Sequence, residues 1–164
     1  SMISMQRVPK RTKVIHMIVD IGVLSDKTAE QVNSWGIKLI EKIISLEMSG
    51  YRVRLEYLKC ISEDDNNNYF LVRVLMKNEF NPFDLKRMSF PLSHVAMQRA
   101  TVWDWLERIP DERAKGYLEG YGQSLSCNKA KSRRDFVRSM LCKDPNTYMI
   151  CIFDNIDEQL SGIK

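Results

Sequence analysis

Two aspartates each follow directly on an apolar run of the sequence. Asp20 comes after residues 14–19, and Asp154 comes after residues 147–153. In a parallel sheet with helices on both faces, ligands bind in the crevice at the carboxyl ends of the central strands. If both runs are parallel strands, the two carboxylates point into one crevice, and hard cations such as Mg²⁺ favour carboxylate and hydroxyl oxygens there. The sequence therefore offers a candidate metal site at Asp20 and Asp154, with the Ser25 hydroxyl five positions past the first acid.

A second candidate site combines a serine, a histidine and an arginine. The spacing predicts a helix from Ser93 to Arg108, which brings Ser93, His94 and Arg99 together at its start. Helix N-termini attract negative groups, so these side chains are candidates for contacting an anion or a partner protein. The alternative, that Ser93 only caps the helix, explains the serine equally well. Trp105 lies beside the apolar stripe of the same helix, and an exposed tryptophan there is typical of an interface.

A basic cluster near the C-terminal third is a candidate for binding nucleic acid. It consists of Lys129, Lys131, Arg133, Arg134 and Arg138. Clustered cations of this kind contact phosphates, although short basic runs are also common on solvated helix faces. Nucleic-acid binding is therefore the alternative to a protein partner, and we expect no membrane partner.

The sequence gives little support for catalysis. The nucleophile, zinc-protease and Walker motifs are all absent from it. Its only histidines are His16, inside a buried-looking strand and best interpreted as a satisfied core residue, and His94. Metal-assisted phosphoester hydrolysis on the two strand-end aspartates is a third hypothesis, behind a binding protein of either kind.

The composition is that of one ordinary globular domain. The chain has 164 residues, 44% apolar and 28% charged, with a formal net charge of +4. A domain of this length buries about 70% of the surface of its unfolded chain, so it needs no covalent staple. The four cysteines show no CxxC spacing and are interpreted as reduced packing residues. Apolar runs are too short for a membrane span, and the N-terminus lacks the apolar stretch of a signal peptide.

The order of the elements predicts the fold class. An apolar strand is followed by a helix over residues 28–49 with a capping box at its start, by a hairpin of residues 51–58 and 69–76, by helices, and by a last apolar strand. The two apolar runs are typical of central strands. We therefore expect an α/β fold, doubly wound, with a mostly parallel sheet and an antiparallel edge hairpin in a Rossmann-like three-layer sandwich. We expect a cloning scar and a basic arm in residues 1–13 and one domain in residues 14–164.

This arrangement resembles the von Willebrand factor A-type (VWA) domain. The shared features are a first strand ending in Asp20, a long helix, a strand hairpin and a later strand ending in Phe-Asp-Asn. In that family the first strand ends in Asp-x-Ser-x-Ser, a later strand ends in a Thr-Asp-Gly-like motif, and the site binds Mg²⁺ and presents it to a partner's carboxylate. Here Gly22 and Leu24 occupy the serine positions, and Phe153 and Asn155 flank Asp154. The resemblance implies a protein-interaction module with a degenerate metal site, with Mg²⁺ bound only if that site still functions and otherwise no cofactor.

A closer resemblance is to a group of uncharacterised VWA-like proteins encoded by phages and bacterial prophages. The segments that carry it are ISLEMSGYRVRLEYL, PFDLKRMSFPLSHVAMQR and GYLEGYG. It implies a cytoplasmic location, in a bacterial cell or a phage-infected host, and no known activity. From the residues and these resemblances we predict a non-enzymatic module that recognises an unidentified protein partner.

Overall fold

The computed structural model describes residues 12–22, 27–63, 69–108, 110, 131–152 and 155–164. The strands are β1 (Val14–Asp20), β2 (Arg52–Glu63), β3 (Tyr69–Lys77) and β4 (Thr147–Cys151). The helices are α1 (Ala29–Met48), α2 (Leu85–Ser93), a π-helical turn (Met97–Thr101), α3 (Val102–Glu107), α4 (Lys131–Leu141) and α5 (Ile156–Ser161). None of these helices is long and apolar enough to cross a bilayer.

The strands form one mixed sheet in the order β3-β2-β1-β4. Strand β1 pairs in parallel with β2 on one side and with β4 on the other, whereas β3 pairs antiparallel with β2 at the edge. Helices α1, α2 and α5 contribute to the larger core on one face of the sheet, and α4 packs on the other face. The predicted α/β fold with one antiparallel edge hairpin is confirmed.

Burial on both faces explains the continuous apolar run of β1. Its side chains alternate between the two faces, so that Ile15, Met17 and Val19 enter the larger core while Ile18 packs beneath α4. All four are fully buried. A strand with helices on both faces needs apolar residues at consecutive positions rather than at alternate ones.

Strand β4 carries the same apolar pattern but lies at an edge of the sheet, so its predicted central position is wrong. Its free side is occupied by the Gln159 side chain of α5, whose amide accepts from the N–H of Cys151 and donates to its carbonyl, both at 2.9 Å. The amide takes the place that a further strand would fill. Both faces of β4 are also buried, and a strand in that position therefore has the sequence of a central one.

Helix α1 forms as its sequence predicts. The Thr28 hydroxyl accepts from the N–H of Gln31, and the Gln31 side chain accepts from the N–H of Thr28. The helix buries a single stripe: Val32, Gly36, Leu39, Ile40, Ile43 and Leu46. It ends before Gly50, which has a φ of +90° and therefore adopts the left-handed conformation that glycine tolerates best.

Gly36 marks the point at which α1 and α2 approach most closely. A Cβ built at Gly36 would lie 2.3 Å from the carbonyl oxygen of Leu92 and 2.5 Å from the Cα of Ser93. These are backbone atoms, so no side-chain rotation could relieve the overlap. The glycine thus allows the end of α2 to pack against the middle of α1.

The region after β3 differs from its prediction. The sequence predicts a short helix near residues 81–88 and a longer one from Ser93 to Arg108. The first is α2, which runs from Leu85 to Ser93 after an Asp84 cap, and the second is present from residue 95 through the π-helical turn and α3. Ser93 therefore lies at a helix C-terminus, where its hydroxyl donates to the carbonyl of Ser89 at 2.6 Å. Its predicted role as an N-cap is wrong because Asp84 supplies the cap nine residues earlier and Pro91, although within the helix, does not end it.

A buried ion pair ties the end of α1 to the end of β3. The Lys77 ammonium lies 2.6 Å from Glu47 Oε1 and also donates to the carbonyls of Val53 and Asn78. The other carboxylate oxygen of Glu47 accepts from the N–H of Phe83 at 2.9 Å. The exposed fractions of the two side chains are only 4% and 11%. Because both charges are compensated by several partners, the pair fixes the hairpin to the helix without an unsatisfied buried charge.

We predict that Lys77→Met lowers the free energy of unfolding by about 3 kcal/mol or more, since Glu47 would keep a buried charge without its cation. The matched control is Lys38→Met, which removes an exposed pair of similar length, 2.7 Å, with Asp157 and should cost less than about 1 kcal/mol. Urea unfolding measures both. Adding Glu47→Gln to Lys77→Met should recover part of the loss, and equal losses from the two lysine variants would contradict the prediction.

Candidate functional site

Asp20 closes β1 at the carboxyl edge of the sheet and is 1% exposed. Its Oδ1 accepts from the N–H of Gly22 at 3.0 Å. In the parallel pairing with β4 it stands opposite Cys151. Burial, and after it the nearby Asp20 carboxylate, raises the pKa of the Cys151 thiol to about 12. Cys151 is thus a neutral packing residue, and Asp20 is a buried carboxylate that holds the turn after β1.

The described residues around Asp20 do not fit a Mg²⁺ site. Their side chains supply one carboxylate and a protonated thiol, and Gly22 contributes no side-chain oxygen. A hard cation takes about six oxygen ligands. Across the part of the chain that the structure describes, no three His, Cys, Asp or Glu side chains group to hold a metal ion. Two of the three predicted metal ligands, Ser25 and Asp154, lie outside the described residues.

Ser93 and His94 line a groove of about 320 Å³ between the start of α1 and the end of α2. The α1 side of the groove is formed by Ala29, Glu30 and Asn33. Close packing at Gly36, two turns into α1, holds the two helices at the distance that leaves this groove open at their ends. The Ser93 hydroxyl is engaged with its own helix, and His94 Nδ1 accepts from the N–H of Ala96 at 3.1 Å.

The ring of His94 also stacks on an exposed aromatic side chain. Its centroid lies 5.0 Å from that of Phe90, one helical turn earlier, with 29° between the ring planes. Phe90 is 49% exposed, and His94 is exposed as well. Stacking of this kind is worth about 0.5–1.5 kcal/mol and favours one mutual orientation of the rings. The result is an exposed aromatic surface beside the groove.

The other two predicted partner-binding residues are placed differently. Trp105 on α3 is only half-buried, but it packs against the larger core rather than standing on the surface. Arg99 lies within the π-helical turn, after the groove, and only its backbone is described. The groove therefore unites Ser93 and His94 from the predicted set.

A family model described as a domain of unknown function (DUF7192) matches residues 1–160. The chain belongs to the DUF7192 family. Searches of the curated proteins and of the solved structures found no match to the domain. The family thus covers nearly the whole chain, and its function is unknown.

The basic cluster of the DUF7192 domain is only partly described. Lys129 lies outside the described residues, and Lys131 and Arg133 are described by their backbone in the first turn of α4. Arg134 is half-buried on the same helix, and Arg138 lies 3.6 Å from Asp135 in an ion pair within the helix. The described part of the cluster is therefore partly turned inward and partly neutralised.

A polar network that the sequence did not reveal lies on the α4 side of the sheet. Glu56, 6% exposed, accepts hydrogen bonds from Arg54 Nε at 3.0 Å and from Arg73 Nε at 2.9 Å, and lies 3.3 Å from His16 Nε2. Burial by itself would raise the pKa of Glu56, but the two guanidinium groups outweigh it and hold the pKa below its usual value. Burial is the main cause that lowers the pKa of His16, although Glu56 opposes the shift.

The network joins three strands, which explains why it was missed. Arg54 and Glu56 are two residues apart on β2 and therefore share a face, but Arg73 belongs to β3 and His16 to β1. Register brings His16 opposite Arg54, and no local pattern specifies that pairing. Phe90 was likewise assigned no role, because it falls between the two helices that the sequence predicts, residues 81–88 and 93–108.

We predict that the DUF7192 domain loses stability as the pH falls from about 7.5 to about 5.5, and that His16 causes part of this loss. A histidine whose folded pKa lies below its unfolded value of 6.5 binds a proton more readily after unfolding, so acid favours the unfolded chain. The melting temperature of His16→Gln should fall less over this range than that of the wild type. His94→Gln is the control and should keep the wild-type slope, and a His16→Gln slope equal to that of the wild type would contradict the assignment.

Proposed function

We propose that this DUF7192 domain is a non-enzymatic protein-interaction module that binds a partner protein at the groove between α1 and α2. The observation that carries the proposal is the exposed Phe90–His94 stack beside a groove of about 320 Å³. Aromatic residues held rigidly on a surface supply contact area at a low cost in conformational entropy, and they are enriched at protein interfaces. Ser93 and His94, which the sequence singled out for partner binding, belong to this surface.

The groove indicates the chemistry of the partner. Its α1 side carries Glu30 and Asn33, and its rim carries the stacked rings. A segment that places an apolar side chain on Phe90 and a cationic or amide group near Glu30 would match both. Since charge at the rim of an interface sets association rate more than affinity, Phe90 should contribute most of the binding energy.

We further propose that the module is VWA-like, with a degenerate metal site, and that it acts in the cytoplasm of a bacterial cell or a phage-infected host. The order strand, helix, hairpin, helices, strand on which the resemblance rests is the order of the described elements. Gly22 and Leu24, which stand where the VWA family has serines, support a partner contact made without Mg²⁺. Partner binding would then rely on the aromatic surface.

We predict that Phe90→Ser removes partner binding while leaving the fold intact, because Phe90 is half-exposed and its loss opens no core cavity. The tagged domain, carrying a photo-crosslinking residue in place of Asn33, would be irradiated in an extract of its native host, and the crosslinked proteins identified by mass spectrometry. A purified partner should bind at least about tenfold more weakly to Phe90→Ser, which is about 1.4 kcal/mol.

The control for this experiment is Met140→Ser, which removes a partly exposed apolar side chain, 38%, from α4 on the other face of the sheet. It should bind as the wild type does. A partner that Phe90→Ser binds with unchanged affinity would show that the groove is not the contact, and so would one lost equally with Met140→Ser.

We predict that Mg²⁺ and Mn²⁺ leave the melting temperature of the domain unchanged. A specific site would stabilise the fold by about 2.7 kcal/mol at a hundredfold excess over its dissociation constant. Differential scanning fluorimetry with each ion, and with Ca²⁺ as a comparison, measures this. A rise with Mg²⁺ that disappears in Asp20→Asn, a variant that keeps an acceptor for the N–H of Gly22, would overturn the metal-free proposal and restore the predicted metal site.

A further inference from the structure

The two edge strands of the described sheet differ in what contacts their outer backbone groups. At β4 the Gln159 amide occupies both hydrogen-bonding groups of Cys151, which blocks the addition of a strand there. At the other edge, β3 has nine residues and pairs only with β2 in the described sheet. An edge strand presents a row of backbone donors and acceptors that can template a further strand.

The sequence of β3 favours such pairing. Between its two register shifts, residues 71–75 read Leu-Val-Arg-Val-Leu and pair regularly with β2. Leu75 is 49% exposed although it lies in the sheet. β-branched and aliphatic residues at this density are those that stabilise paired strands.

The charges that usually protect an edge are already engaged within the chain. Lysines and other charged residues on edge strands normally repel a second strand. Here the Lys77 side chain is 4% exposed and held by Glu47, while Arg73 donates through two nitrogens to Glu56. The surface that β3 presents to a second strand is therefore nearly neutral. An identical chain would meet little charge repulsion there.

We propose that β3 is a homodimer interface, at which β3 of a second copy adds in antiparallel orientation to give a continuous eight-stranded sheet. With a two-fold axis, the same strand of each copy forms the contact. Two-fold symmetry is the commonest symmetry of oligomers. Centring the axis on Val74 sets Arg73 of each copy opposite Leu75 of the other. A pairing centred on Arg73 would instead oppose two guanidinium groups, which is unfavourable.

A mostly polar groove and an exposed phenylalanine flank this edge. The groove, of about 360 Å³, runs between the end of β3 and α2, and its lining includes Asp84 and Arg87 besides Leu75 and Met76. Phe80, just beyond β3, is 82% exposed and lies in the chain between two residues of the groove lining, Asn78 and Asn81. The second copy would cover Leu75 and part of this groove, and the long Arg73 stem would lie across the partner's Leu75.

This surface is separate from the groove that carries Ser93 and His94, so the two proposals succeed or fail independently. A dimer that forms through β3 leaves the Phe90–His94 stack free for a partner protein.

The first test is the molar mass in solution over a wide range of protein concentration, by sedimentation velocity or light scattering. The wild type should reach twice the monomer mass as its concentration rises. Leu75→Lys should remain a monomer throughout, because the new cation faces Arg73 of the other copy. Within one chain it lies opposite Glu56, so the monomer keeps its fold. Ile37→Lys, with a similar exposed fraction on α1, should dimerise as the wild type does.

Hydrogen exchange of the wild type locates the contact without any substitution. Raising the protein concentration should slow amide exchange in residues 69–77 and leave residues 147–151 unchanged. A wild type that stays monomeric at every concentration would overturn the proposal. So would a dimer that Leu75→Lys still forms, or one whose concentration-dependent protection lies outside β3.

Discussion

The burial of β1 on both faces is the constraint on which the rest of the structure depends. Ile15, Met17, Ile18 and Val19 are fully buried, and each contributes about 1.5–3 kcal/mol relative to an exposed side chain. To bury them, the chain must place α1 and α2 on one face of the sheet and α4 on the other. His16 interrupts the apolar run that precedes Asp20, and its Nε2 lies 3.3 Å from Glu56, a carboxylate that accepts from two arginines.

The burial of β1 on both faces also affects the carboxyl end of the sheet and its two lateral edges. Asp20 ends a buried strand, so its carboxylate is itself buried and is used to hold the following turn. The groove beside His94 lies between the helices instead, near the close approach of α1 and α2 at Gly36. At the lateral edges of the sheet, the Gln159 side chain bonds to the backbone of β4, whereas β3 exposes Leu75. The cations of β3, Arg73 and Lys77, pair with carboxylates of the same chain.

Local patterns predicted the fold class and most elements because each of these depends on residues close in the chain. The helix over residues 28–49 and the capping box at its start were predicted correctly, since helix periodicity and caps are local properties. Prediction failed where the deciding partner is remote. The capping preference of Ser93 was outweighed by a helix that starts at Asp84, and β4 looked central because Gln159 stands in for a neighbouring strand.

The sequence by itself thus determined an α/β domain with a parallel core and one antiparallel edge, and it offered Ser93 and His94 as candidate partner contacts. Only the tertiary structure decided that Phe90 joins them in an exposed stack, that Trp105 packs against the core, and that Lys77 turns inward to Glu47. The physical reason is that hydrophobic periodicity and turn preferences depend only on residues close together in the chain. Exposure and ion pairing are set by which strands and helices meet, and register between strands carries no signature in a single segment.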